Sequence, residues 1–300
     1  MDAAAKAVDV FELVKQAGVL EASAVKAGNV HPSAAFADTT FDDFTRSAAI
    51  IAACWEAVPD ASLGRWVLSA VREVRLAIGR NTNLGIILLL APLAKAAQLA
   101  MARNDLSCMP SHETLAGLTA DDARDVYAAI ALAAPGGLGR TAKHDVTRTA
   151  ETGVMPPDLV DAMRLAADRD DVARQYATNF SDVYELAGRV AVRISRGQEL
   201  LQAISQLQIE WLAERPDTLI ARKRGGDIAQ DVCRRAGEVL AAAEHADQCA
   251  DQRAAPDGYD AAWQQFDRHL RSEGNQLNPG TTADLLAAAI FVYLFQSSQG

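Results

Sequence analysis

Apolar residues recur along this chain at helical spacing and nowhere alternate convincingly at period two, which confines it to an all-α fold. The stretch FDDFTRSAAIIAACWEAV (41–58) shows the pattern: Phe44, Ala48, Ile51 and Trp55 share one stripe, with charged residues opposite. Comparable patterns fill 63–78, 83–102, 120–133, 157–167, 182–212, 226–245, 258–272 and 282–296. Thr40 with Asp43, Thr119 with Asp122 and Thr281 with Asp284 have capping-box spacing, in which a hydroxyl and an acid three residues on satisfy free amides. Gly and Pro punctuate the breaks in KAGNVHP, APGGLG, MPP, RPD, RGG and LNPG. No fixed-period repeat, long linker or low-complexity tract divides residues 1–300, so one large multi-helix domain is expected.

Charge narrows the partners. Lys plus Arg number 29 against 39 Asp plus Glu, a net charge of -10, which argues against a nucleic-acid partner. Cys54, Cys108, Cys233 and Cys249 lie far apart without a C-x-x-C pair, as expected of reduced thiols in a cytoplasmic protein. Asp2, Lys6 and Asp9 make the first turns unlike a secretory signal. The apolar run Leu84 to Leu93 ends at Lys95, short of the ~20 residues of a membrane span, so no membrane partner is expected. Neither H-E-x-x-H nor G-x-S-x-G occurs, which leaves zinc hydrolases and serine triads without support.

Six polar islands stand at helix ends, and each has a structural reading beside a functional one. VKAGNVHP carries Lys26, Asn29 and His31, with Asp38 following; it reads as a turn, or as a loop offering Lys26 to a phosphate. RNTNLGIILLLAPL sets Asn81, Thr82 and Asn83 against the most apolar run. They read as the cap of a buried helix, or as amides and carboxamides facing an anion, base or ribose. APGGLGRTAKHD brings Gly136 and Gly137, which permit close backbone approach, without a Walker pattern or a preceding strand. ADRDDVARQYATNF holds Asp168, Asp170, Asp171 and Asn179; its acids read as dipole partners or as carboxylates for a hydrated Mg²⁺. PDTLIARKRGG opens on Asp217, a candidate cap, and ends in Arg222, Lys223 and Arg224 with Gly225 behind, a solvated helix end or a polyphosphate grip. NPGTTADLLAAAIFVYLF, with Thr281, Thr282 and Asp284, reads first as a capped helix start.

The order KAGNVHP, NTNLGI, PGGLG, DTLIARKRGG, NPGTTADLLAA resembles the triphosphoribosyl-dephospho-coenzyme-A synthase family, from about Lys26 to Leu286. The resemblance implies an all-α transferase with a nucleotide cleft built from helix ends and loops. It also implies that ATP is the donor: adenine leaves, and the triphosphoribosyl unit passes to the ribose 2′-hydroxyl of a small-molecule acceptor, dephospho-coenzyme A. An oxocarbenium-like state favours a nearby carboxylate, the departing base needs an acid or amide, and the triphosphate needs Mg²⁺ and cations. On that reading Lys26, Arg222 and Lys223 hold phosphates, and Asp168 with Asp170 or Asp217 ligates Mg²⁺. Asp38 or Asp217 is then the acceptor base, and Asn81 and Asn83 hold ribose or adenine. Asn29, His31, Thr82, Gly136, Gly137, Asn179, Gly225 and Thr282 complete the expected nucleotide contacts.

The chain departs from the better-known branch at Ala27, where Pro is usual, and at Asn83-Leu84, where His-Lys is usual. The NTNLG form resembles a second branch, seen in archaea and in bacteria with methanopterin-type one-carbon carriers. A phosphoribosyl transfer to such a carrier, from ATP or phosphoribosyl pyrophosphate, therefore stands beside the first reading. A non-catalytic helical nucleotide-binding or scaffold protein is the third. The Ala-rich face at 239–246 is a candidate homodimer contact.

Overall fold

The computed structural model describes residues 8–80, 82–105, 109–133, 158–248 and 257–298, which form fourteen helices and no strand. The first six are α1 (Val10–Ser23), α2 (Phe41–Glu56), α3 (Leu63–Ile78), α4 (Leu84–Ala102), α5 (Ser111–Ala116) and α6 (Ala120–Ala133). Then follow α7 (Leu159–Ala166), α8 (Asp171–Ala177), α9 (Ser181–Ser195), α10 (Leu200–Glu214) and α11 (Thr218–Arg224). The chain closes with α12 (Gly226–Gln248), α13 (Asp257–Arg271) and α14 (Gly280–Ser297). The all-α expectation is met.

Two sequence expectations are corrected. The single helix expected over 182–212 is two, because Gly197 at φ +86° takes a left-handed turn between α9 and α10. The Thr281–Asp284 capping box does not form. Helix α14 starts earlier, with Pro279 at its cap position, and Thr282 turns its amide and hydroxyl to Asp217 instead. The other two boxes are present: Thr40 N donates to Asp43 Oδ2 at 2.9 Å, and Thr119 N to Asp122 Oδ2 at 2.9 Å. Asp122 also accepts from Gly64 N at 2.8 Å, which ties the start of α6 to the start of α3.

Helix α4 is apolar around its whole circumference, which only a central position satisfies. It packs against α1, α3, α5, α8 and α14. By length and composition α4 and α14 are each able to cross a membrane, so the brevity of the Leu84–Leu93 run was no argument against a span. Here they are core helices, with 72% and 67% of their apolar windows buried. Pro92 lies inside α4 and cannot bond the Leu88 carbonyl one turn back; the buried Tyr176 hydroxyl donates to that carbonyl at 2.6 Å. Trp55 and Trp66 stack in the same core with centroids 5.1 Å apart.

A second, smaller apolar cluster joins Ile209, Leu212, Ile220, Val232 and Leu270 of α10 to α13. Ala27 enters it from the loop after α1. That loop and α11 are thus held together, and several of the polar islands among the described residues meet near the α14 start.

Candidate active site

Asp217 organises the junction. Its Oδ1 accepts from Leu219 N at 2.8 Å and Ile220 N at 3.1 Å, capping α11. Its Oδ2 accepts from Thr282 N and Thr282 Oγ1, both at 2.8 Å, capping α14. One carboxylate, 2% exposed, therefore closes two helices. Burial pushes its pKa up, and the bonds from Thr282 and the α11 amides pull it back.

The acids before α8 attach to this node. Thr218 Oγ1 bonds Thr281 Oγ1 at 3.2 Å and accepts from Asp171 N at 3.2 Å. Asp170 caps α8 through Val172 N at 2.9 Å, and its second oxygen pairs with Arg222. Asp171 is buried and lies 3.2 Å from Arg174. Burial lifts its pKa to about 6, against the pull of Arg174 and with the help of Asp217. The folded state thus holds this proton more tightly than the unfolded chain does. Stability from this group is present below about pH 4 and lost as pH rises to about 6. Asp171→Asn removes that loss, so its stability relative to wild type should rise by about 2–3 kcal/mol between about pH 4 and pH 7. Urea midpoints at the two pH values check this.

Asp284 is the residue the sequence reading missed. Its carboxylate fills the space a side chain at Gly85 would need: an ideal Cβ there lies 2.0 Å from Oδ2. The acid thus lies against the first turn of α4, and no hydrogen bond reaches it from the described residues. Burial raises its pKa well above the carboxylate range; Glu21 and Asp217 add to the rise, and Arg222 opposes it. Its signal in the sequence was a lone charge inside an apolar run, TTADLLAAAIF. Glu21 was missed too. It is a buried acid on the inner face of α1, in a position that otherwise carries Val14, Ala17, Gly18 and Ala22.

Lys26 does not offer itself to a phosphate. It is fully buried, with Nζ 3.1 Å from Glu21 Oε1 and donating to the Ala24 carbonyl at 3.2 Å and to the Glu21 carbonyl. Asn29 and His31 hold the same loop. Asn29 Oδ1 accepts from Gln208 at 2.7 Å, and its amide donates to Asn278 Oδ1 at 2.6 Å. Gln208 also clamps Ala27 through both main-chain atoms. His31, buried beside Ser33 at 3.1 Å, has its pKa lowered by burial and by Arg271.

At the far end of α11, Arg222 pairs with Asp170, Lys223 donates to the Asn275 carbonyl at 2.9 Å, and Arg224 pairs with Glu273. Burial lowers the Lys223 pKa, with Asp217 opposing. Asp38 is exposed on this rim, where Asn275 Nδ2 donates to it at 3.5 Å, and Gly225 is the exposed C-cap of α11. Thr82 Oγ1 lies 2.7 Å from Ser47 Oγ. Asn83 is 2% exposed, does not cap α4, and leaves Oδ1 without a partner. Asn179 is exposed in the α8–α9 turn at φ 52°, a backbone Asn tolerates, so it serves the turn and not the junction. Asn81, Gly136 and Gly137 lie outside the described residues.

The three carboxylates expected for Mg²⁺, Asp168, Asp170 and Asp217, are not gathered together here. Asp217 has both oxygens bonded, Asp170 divides its oxygens between a cap and Arg222, and Asp168 is exposed after α7. No group of three or more acids, histidines or cysteines suited to a metal occurs among the described residues.

A family model for ATP:dephospho-CoA triphosphoribosyl transferase (CitG) matches residues 7–300. A crystal structure of a protein from Archaeoglobus fulgidus, described there as a proposed triphosphoribosyl-dephospho-coA synthase, superposes with a TM-score of 0.61 at 23% identity. The superposition covers 84% of this chain and 98% of the other, and establishes a shared fold. No curated protein matches significantly.

Proposed function

The chain belongs to the CitG family of ATP:dephospho-CoA triphosphoribosyl transferases, and from that premise we propose that it moves the triphosphoribosyl unit of ATP onto the ribose 2′-hydroxyl of dephospho-coenzyme A, releasing adenine. The observation that carries the chemistry is Asp284, an unbonded acid set against Gly85 with its pKa raised by burial.

Breaking the bond from the ribose anomeric carbon to adenine leaves electrons on the base and positive charge on the sugar. Asp284 gives its proton to the departing ring nitrogen. Asp217, a neighbouring carboxylate that raises the Asp284 pKa, would stabilise positive charge developing on the sugar. Arg222 and Lys223 take the triphosphate, Arg222 exchanging Asp170 for a phosphate oxygen. Asp217 is engaged as a double cap, so Asp38, exposed beside Asn275, accepts the proton of the incoming hydroxyl.

Asn83, standing where the better-known branch has His, favours a second acceptor within the same reaction class: a methanopterin-type carrier receiving a phosphoribosyl group. We place either reaction in the cytoplasm, where ATP is available. Incubation with ATP and each acceptor separates the readings. Free adenine with dephospho-coenzyme A is the expected result; free adenine only with a pterin-ribitol acceptor moves the activity to the second. No adenine with any donor or acceptor would refute both.

A further inference from the structure

Arg222 on α11 and Asp170 at the start of α8 meet as an ion pair whose two side chains keep 19% and 20% of their surface open to solvent. The contact is incomplete on both sides. Asp170 Oδ1 is committed to the amides of Val172 at 2.9 Å and Ala173 at 3.4 Å, so Oδ2 is the oxygen left for the guanidinium and accepts from Arg222 Nη1. Arg222 Nε is buried without a hydrogen-bond partner among the described residues, a state that costs free energy until an acceptor arrives. The charges of both residues act on Asp284, with Arg222 lowering its pKa and Asp170 raising it, so the pair stands within electrostatic reach of that acid.

We propose that Asp170 is a placeholder for the donor's triphosphate: its Oδ2 occupies Arg222 in the free protein, competes with the incoming phosphate for that guanidinium, and so sets the affinity for ATP. This rests on the transferase reading, in which Arg222 and Lys223 take the triphosphate, and deepens it. A terminal phosphate has three oxygens and more charge than a carboxylate, so it can accept from Nε and an Nη together, the fork that Asp170 leaves unmade. Asp170 itself stays in place when displaced, because its cap on α8 does not involve Arg222. Lys223 differs: its partner is the neutral Asn275 carbonyl at 2.9 Å, so no counter-charge has to leave before a phosphate binds there. The cost of opening the grip falls on the Asp170 pair, and removing that carboxylate charge should tighten phosphate binding. A carboxylate that positions Arg222 for the phosphate predicts the opposite, and one that only caps α8 predicts no change.

The test is calorimetric binding of inorganic tripolyphosphate to wild type, Asp170→Asn, Asp170→Ser, Arg222→Gln and the double variant Arg222→Gln/Asp170→Asn, beside the adenine-release assay on wild type. Asn keeps the Oδ1 that caps α8 and turns its Nδ2 towards Arg222, donor to donor; Ser is a good cap too short to reach Arg222. Both should bind tripolyphosphate about three- to tenfold more tightly than wild type, the range of a half-buried ion pair. Arg222→Gln should bind it more weakly, and adding Asp170→Asn to that variant should change binding by less than about twofold. If wild type releases adenine but both Asp170 variants bind tripolyphosphate no more tightly, or tighten it equally with Arg222 replaced, the placeholder role is wrong while the transferase reading stands. If wild type releases no adenine with any acceptor, the transferase reading fails and takes the placeholder role with it.

Discussion

Replacing Asp284 by Asn should lower triphosphoribosyl transfer by about 10²–10⁴-fold, the contribution of a positioned general acid, while the protein stays folded. Asn keeps the shape that fits against Gly85 but has no carboxyl proton to give. The pH dependence follows from the direction of the shift. Burial and the neighbouring acids raise the Asp284 pKa, so the acid keeps its proton to higher pH than a free carboxyl does. Wild-type kcat should fall as pH rises through that elevated value, and the residual rate of Asp284→Asn should lack that limb. Steady-state rates with matched unfolding midpoints for the two proteins check both points.

Asp217→Ala should destabilise the protein by about 2–4 kcal/mol. Each helix cap contributes about 0.5–2 kcal/mol, this carboxylate caps two helices, and its removal strands the buried Thr282 hydroxyl. Urea unfolding in a metal-chelating buffer is the informative condition. A cap predicts the full loss there, whereas a metal ligand predicts that wild type and variant converge once metal is removed. Asp217→Asn, which keeps one acceptor oxygen, should fall between.

The helices were legible because their apolar stripes are long; α2, α3, α4 and α6 begin and end within two residues of expectation. Helices α5, α8 and α11 were not, because six or seven residues hold fewer than two turns of periodicity. Helix α1 hid behind Gly18 and the inward-facing Glu21, both of which interrupt an apolar stripe. At the junction, residue type marked several islands that the fold brings together, while the partner of each side chain stayed hidden. Lys26 reads as a phosphate cation until its partner Glu21 appears, and that pairing depends on a bend after α1 which no local pattern specifies. Asp217 was legible as a cap of its own helix, while its bond to Thr282 crosses sixty-five residues. Asp284 was visible only as half of a capping box, because its environment is built by Gly85 and Glu21 from distant segments.

Mass spectrometry of the product from wild type, ATP and dephospho-coenzyme A, with adenine measured in the same sample, tests the central claim most directly. The account predicts a triphosphoribosylated acceptor and adenine in equal amounts from wild type, and neither at a comparable rate from Asp284→Asn. ADP or AMP in place of adenine, or a folded Asp284→Asn protein as active as wild type, would contradict it.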